Sequence, residues 1–306
     1  MHVYSIPMNV RFRGITTRTG VLVEGPAGWG EFCPFEEYDD EEAAPWLRCA
    51  LEAAYEGWPR PLRDRVPVNC TVPVVGPERA HEIVTRSGCA TAKVKVAEST
   101  LEEDCARLEA VRDALGPQGH VRVDANMLWD VDTAVRAIKA MDRAAGGLQY
   151  VEQPCRTLDE LAEVRRRTTV PIAADESIRK AEDPLKVAVA GAADIAVIKV
   201  APLGGVRRAL EIAEACGLPC VVSSALETSV GMAAGIALAA ALPELDHACG
   251  LATVELFQGD VTSESLKPEN GYLRVPAKAP VPDRIGEFEV VDRRWTERFD
   301  RVRASL

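Results

Sequence analysis

The chain has 306 residues, 47% of them hydrophobic, and its 36 basic against 47 acidic side chains leave a net charge of −11. That length holds one barrel-sized domain of roughly 200 residues plus a smaller one, and the acidic balance argues against nucleic acid or an anionic membrane as partner. No stretch reaches the roughly 18 apolar residues of a membrane span, and the opening MHVYSIPMNV has neither the basic nor the apolar region of a signal peptide, so a cytoplasmic location is expected.

Residues 1–65 begin with the strand-like runs MHVYSIPMNV and TGVLVEGPAGWGEF and continue into the acidic helical stretch EEAAPWLRCALEAAYEG. GWGE at 28–31 is not a GxGxxG phosphate turn and reads as a turn leading into a strand. From about residue 66, short runs dense in Val, Ile and Ala alternate with helical ones. The β-like runs fall at 66–75, 91–97, 120–126, 148–154, 170–177, 193–200, 219–225 and 249–255. Between them, LEEDCARLEAVRDALG and DVDTAVRAIKAMDRAAGG repeat apolar residues every three and four positions and end in Gly. The apolar run at 231–242 is too short for a membrane span and reads as a buried helix, while residues 266–306, with NGYLRVP and FEVVD, are strand-like and rich in turns.

Eight β-like runs separated by helices predict the α/β class. The expected architecture is a parallel sheet closed into a modified TIM (β/α) barrel over residues 66–265, with an α+β capping domain built from residues 1–65 and 266–306. An open doubly wound sheet is the alternative, but it wants a Gly-rich turn after its first strand, and VVGPERAHE is not one. The nine cysteines form no CxxC pair and read as reduced thiols, with Cys216 and Cys220 at a helix end and the next strand. Histidines at 2, 81, 120 and 247 are scattered, and His81-Glu82 lacks the second histidine of HExxH, so no histidine metal site or triad is expected.

The informative pattern is where ionisable residues fall. Lys93 and Lys95 sit near the end of the second β-like run, Asp124 at the third, Glu152 at the fourth, Asp175 at the fifth and Lys199 at the sixth. Function in this architecture sits at the C-terminal strand ends, and alternation along each strand puts residues two apart on one face. Three carboxylates converging from adjacent strands repel one another unless a cation lies between them. Hard oxygen ligands without His or Cys favour Mg²⁺, or else Mn²⁺, which makes Asp124, Glu152 and Asp175 the candidate metal ligands. The competing reading is a set of structural salt bridges, which five successive strands obeying one pattern make the weaker one.

KVK at 93–95, DAN at 124–126, EQP at 152–154, DES at 175–177 and IKV at 198–200 together resemble the enolase superfamily, in its muconate-lactonizing subgroup. The resemblance covers nearly the whole chain, including the split cap with GWGE. It implies proton removal next to a carboxylate, with Lys95 as general base and Lys93 orienting the site and favouring the neutral amine of Lys95. Lys199 is placed on the opposite side of the substrate. Within the subgroup the chain looks most like a dehydratase of menaquinone assembly, acting on a hydroxycyclohexadiene carboxylate that becomes aromatic. The rivals are an N-acylamino acid racemase or dipeptide epimerase using both Lys95 and Lys199 as bases, and a non-catalytic binding protein on the same scaffold.

The summed charge of metal, lysines and carboxylates is positive, which suits a small anionic dicarboxylate substrate. Asn126, Ser223 and Ser224 are expected to contact it, with bracing of a metal ligand as the competing role for Asn126 and helix capping as that for the two serines, Ser224 above all. Glu227 in ALETS reads as a surface helix residue, with an extra acid as the alternative. Relatives in the superfamily carry a longer N-terminal lid than MNVRFRGITTRTG, and Arg11, Arg13 and Arg18 within it read as a solvated basic turn, with contact to the anionic substrate as the alternative.

Overall fold

The computed structural model describes residues 1–179 and 191–306. The chain opens with an antiparallel sheet of β1 (His2–Phe12), β2 (Ile15–Gly25) and β3 (Gly28–Phe32) in that order. The β1–β2 hairpin turns on Arg13 and Gly14, both at positive φ (49° and 80°), the backbone that suits the twist of a two-residue hairpin. Helix α1 (Asp40–Leu51) starts at a capping box between Asp39 and Glu42. It lies on β3 because a Cβ at Gly30, the second glycine of GWGE, would collide with the Ala50 carbonyl.

The next elements lead into the barrel and build it. They are β4 (Arg65–Pro67), β5 (Cys70–Val72), α2 (Pro77–Ser87), β6 (Thr91–Lys95), α3 (Leu101–Leu115), β7 (His120–Asp124), α4 (Val131–Ala144) and β8 (Leu148–Glu152). After them come α5 (Leu158–Arg167), β9 (Ile172–Ala174), α6 (Glu176–Arg179), β10 (Ile195–Ile198), α7 (Val200–Leu203), α8 (Val206–Cys216), β11 (Cys220–Val222) and α9 (Ser229–Ala241). Among the described residues, seven strands form one parallel sheet in the order β11-β10-β9-β8-β7-β6-β5.

Two expectations need correction. The expected eighth strand at 249–255 contracts to Cys249 and Gly250, which bridge Val68 on one side and Ser223 on the other. Backbone bonds Cys249 N–H to Pro67 O (2.7 Å) and Gly250 N–H to Val222 O (2.8 Å) close the ring there, and the chain then turns into a 3-10 helix at Thr253–Leu256. A side chain at Gly250 would meet Ser223 Oγ at 2.6 Å, so this crossing is too tight for an ordinary strand residue. The first expected run, 66–75, divides: β4 pairs antiparallel with β12 (Tyr272–Arg274), and only β5 enters the barrel.

Helix α9 is buried along nearly its whole length, as its unbroken apolar sequence demands. Among the described residues no helix is long and apolar enough to cross a membrane. FEVVD does not form a strand and makes one bridge, Tyr4 to Glu289. NGYLRVP does carry a strand, Tyr272–Arg274, whereas FEVVD leads into α10 (Arg293–Ala304), a helix the strand-like reading of 266–306 did not include. The apolar stripe of α10 is only Trp295, Phe299 and Val302 in an arginine-rich segment, and Trp295 and Phe299 meet Phe32 edge-on at 6.3 and 5.7 Å.

Strand register stacks the barrel interior in levels. Lys93, Arg122 and Tyr150 are consecutive partners, and Lys95, Asp124 and Glu152 are the partners one level above. Tyr150, Ala173, Ile195, Val197 and Val221 form a small apolar cluster separate from the main core, on the inward face that also carries Glu152, Asp175, Lys199 and Ser223. A bulge at Gln149 turns its side-chain oxygen to Arg122 Nε at 2.7 Å, and the fully buried guanidinium lies 4.7 Å from the Tyr150 ring centre.

The loop after Lys95 is anchored by a buried pair on α3. Arg107 donates to Asp104 (2.6 Å), to the carbonyl of Lys95 (3.0 Å) and to that of Val75 (2.6 Å). Asp104 in turn accepts from the N–H of Ala97 at 2.9 Å, a residue at φ 73°. Arg107→Met leaves Asp104 charged and buried, so a loss of about 3–5 kcal/mol in urea unfolding is expected. The double variant with Asp104→Asn is expected to recover part of it.

Candidate active site

Most of the strand-end residues share one opening at the C-terminal mouth of the barrel. Lys93, Lys95, Asp124, Asn126, Lys199, Ser223 and Ser224 line it, while Glu152 and Asp175 are fully buried beneath. Lys95 Nζ donates to Asp124 at 2.5 Å and to Asn126 Oδ1 at 2.7 Å. Lys93 Nζ donates to both Glu152 oxygens at 3.1 Å and stands 3.5 Å from Asp124. Lys199 Nζ donates to Asp175. Strands β6 and β10 lie four places apart in the ring, so Lys95 and Lys199 face the opening from opposite sides.

Burial and mutual repulsion dominate the electrostatics. Burial lifts the Glu152 carboxyl to about 7, with the Asp124 charge adding to it and Lys93 opposing. Burial works the same way on Asp124, but Lys95 and Lys93 outweigh it and hold that carboxyl below its ordinary range. Burial disfavours the Lys93 ammonium, yet Glu152 and Asp124 hold it well above an ordinary lysine. The donor set fits a hard cation: three buried carboxylates at adjacent strand ends, with an ammonium already bridging two of them. Among the described residues, no three acidic, His or Cys side chains stand converged as a ready cage, because lysine nitrogens sit between the carboxylates.

Other residues hold this arrangement in place. Asn126, at φ 44°, donates its N–H to Asp124 at 3.1 Å and its side-chain amide to Glu176 at 3.4 Å. Gln153, at φ 39° and fully buried, accepts from the N–H groups of Asp175 (2.9 Å) and Ser177 (3.2 Å) and donates to Cys155 O and Ser177 Oγ. Left-handed non-glycine residues at several strand ends are stored strain of the kind that binding sites carry. In the sequence, EQP assigns Gln153 no part. Its only visible signal was a polar residue between a strand-end acid and a proline.

The cap supplies the wall that sequence reasoning missed. Phe12, Arg13, Phe35 and Trp46 line the opening, with the Phe12 ring 5.2 Å from Lys95 Nζ. The expected solvated basic turn is corrected at two residues. Arg13 lies at the mouth, its guanidinium 3.7 Å over Phe35 and bonded to Tyr38 Oη at 3.2 Å. Arg18 is fully buried. Ser224 does not cap α9, since Thr228 does; Ser224 instead meets the Thr253 hydroxyl and accepts from Leu226 N–H at 3.3 Å.

Glu227 is buried, not on the surface. Leu226, at φ 66°, reverses the chain, and the Glu227 carboxylate folds back onto Ala225 N–H at 2.7 Å. Glu31 of GWGE lies beside it at the start of α9, accepting from Tyr4 Oη (2.5 Å), Thr228 N–H (3.1 Å), Thr228 Oγ1 (2.5 Å) and Gly231 N–H (2.8 Å). Burial first, and Glu31 second, lift the Glu227 carboxyl from 4.5 to about 7. The folded state therefore holds that proton more tightly than the unfolded chain. The stabilisation is complete below about pH 4.5 and is lost as pH rises to about 7, at most about 3 kcal/mol. Glu227→Gln removes this contribution, so wild type should lose stability relative to the variant across that window in denaturant titrations.

Residues 77–280 match the enolase C-terminal domain-like family and residues 3–54 the enolase N-terminal domain-like family. The chain is 61% identical over 304 residues to the o-succinylbenzoate synthase of Thermobifida fusca, covering 99% of this chain and 95% of that one. Among solved structures it resembles the substrate-liganded L-Ala-D/L-Glu epimerase of Bacillus subtilis, with TM-score 0.77 and 25% identity over 91% of this chain and 95% of that one. The dipeptide epimerase of Enterococcus faecalis, solved with Mg and L-Leu-L-Tyr, matches in fold with TM-score 0.76 and 24% identity over 92% of this chain and 97% of that one. The chain belongs to the enolase superfamily and, within it, to the o-succinylbenzoate synthase family of lyases.

Proposed function

We propose that this chain dehydrates 2-succinyl-6-hydroxy-2,4-cyclohexadiene-1-carboxylate to o-succinylbenzoate, with Lys95 as the base. The observation that carries the reading is Lys95 and Lys199 facing one opening from opposite sides, above three buried carboxylates. Asp124, Glu152 and Asp175 are the residues to hold Mg²⁺, or Mn²⁺ in its place. When bound, the ion supplies Lewis-acid stabilisation of charge on a carboxylate.

The chain's own groups perform the rest. A proton next to a carboxylate is weakly acidic, so stabilising the resulting dianionic ene-diolate is the main task. Lys95 takes that proton, held in position by Asp124 and Asn126. Lys93 and Lys199 set positive charge against the developing anion. Hydroxide then leaves from the same face, and the protonated Lys95 can return its proton to it as general acid. Aromatisation makes the step downhill, so no further acid is required.

Ser223, Ser224 and Asn126 are proposed to contact the substrate, with the second carboxylate of this small dianion toward the serine side. The 61% identity of this chain to an o-succinylbenzoate synthase favours dehydration over epimerisation by the two lysines. Residues 1–65 and 266–306 serve as the cap in this reading, and residues 66–265 as the barrel. Nine free thiols suit a reducing, cytoplasmic setting. Ultraviolet detection of o-succinylbenzoate formed from its precursor, with and without Mg²⁺, tests the proposal: product is expected only with metal, and none from metal-loaded protein would contradict it.

A further inference from the structure

Arg18 leaves β2 of the cap and ends against the barrel. Its Nε donates to Leu226 O at 2.8 Å, and its Nη2 donates to Ala225 O at 3.2 Å and to Cys33 O. The guanidinium also lies 4.4 Å from the centre of the Phe35 ring. The side chain is fully buried, and the acceptors are main-chain carbonyls rather than a carboxylate. Ser223, Ser224, Ala225 and Leu226 all line the opening, and Leu226 occupies the left-handed region at φ 66°. A leucine keeps that backbone only where surrounding contacts over-determine it. Those contacts are Arg18 on two successive carbonyls, Glu227 on the N–H of Ala225 and Ser224 Oγ on the N–H of Leu226.

We propose that Arg18 is a positioning residue that determines specificity: by holding the loop at 223–226 from behind, it shapes the subsite for the substrate's second carboxylate without touching the substrate. This rests on the dehydratase reading above. A guanidinium is needed because carbonyls from two chain segments are bound by one planar fork, which the single ammonium of lysine does not span. The effect is confined to the arm of the substrate that faces the serines. The reacting carboxylate lies at the lysines, on strands that Arg18 does not reach.

The test compares two ligands by calorimetry on the magnesium-loaded protein: o-succinylbenzoate, and benzoate, which lacks the succinyl arm. In Arg18→Met, affinity for o-succinylbenzoate is expected to fall about tenfold or more, the scale of lost hydrogen bonds to a charged group, while affinity for benzoate holds. In turnover, KM rises with kcat nearly unchanged. Arg18→Lys keeps the charge and guards against a variant that fails to fold; it is expected to show the same selective loss. Thr228→Val, which disturbs the Glu31 contact at the same cap–barrel seam but leaves the loop's own bonds, is expected to preserve the affinity ratio. Equal losses for both ligands, or no loss for either, would overturn the proposal. Failure of wild type to make o-succinylbenzoate would instead sink the dehydratase reading, a separate outcome.

Discussion

Lys95→Ala is expected to lower kcat by roughly 10²–10⁴-fold, the range of a removed general base, with KM little changed. The amine stands 2.5 Å from Asp124 and 2.7 Å from Asn126, so its removal deletes the proposed base while leaving the acidic side chains in place. Lys95→Arg keeps the charge but supplies a guanidinium that does not deprotonate in proteins, and should be as inactive as the alanine variant. Lys199→Ala separates the two lysines. A dehydratase loses electrostatic stabilisation, a factor of roughly 10²–10³, yet still removes the proton. An epimerase would lose interconversion altogether. Initial rates by ultraviolet absorbance, with deuterium incorporation from D₂O, distinguish these outcomes.

The second large effect concerns the carboxylates. Treatment with a chelator is expected to abolish turnover, and added Mg²⁺ to restore it. Magnesium at about 100 times its dissociation constant should stabilise wild type by about 2.7 kcal/mol, because it binds the folded state alone. Glu152→Gln keeps the shape of a side chain buried beneath the opening but removes one anion from the set. Both the restoration and the magnesium-dependent rise in thermal midpoint should then need far higher metal. If the variant responds to magnesium as wild type does, Glu152 is not a ligand and acts only as the partner of Lys93, 3.1 Å away.

The fold and the floor of the site were legible for one reason. Each βα unit repeats, so an ionisable residue near the end of each β-like run is a periodic signal: Lys93, Lys95, Asp124 and Lys199 line one opening, with Lys93 bonded to the buried Glu152 and Lys199 to the buried Asp175. The cap's contribution carries no such signal. Phe12, Arg13, Phe35 and Trp46 reach the opening only through docking of the cap onto the barrel, and nothing local marks them. Arg18 was misread because its acceptors are carbonyls at Cys33, Ala225 and Leu226, which any residue provides. Glu227 was misread because a left-handed Leu226 reverses the chain just before it, and leucine gives no hint of that conformation. Likewise, Gly250 signals a close approach but not that the eighth strand shrinks to two residues.

A crystal structure of the protein grown with magnesium and o-succinylbenzoate tests the central claim most directly. One ion is expected to share oxygens of Asp124, Glu152, Asp175 and a product carboxylate, with Lys95 and Lys199 on opposite faces of the ring. An ion bound elsewhere, or a product whose ring lies out of reach of Lys95, would contradict it.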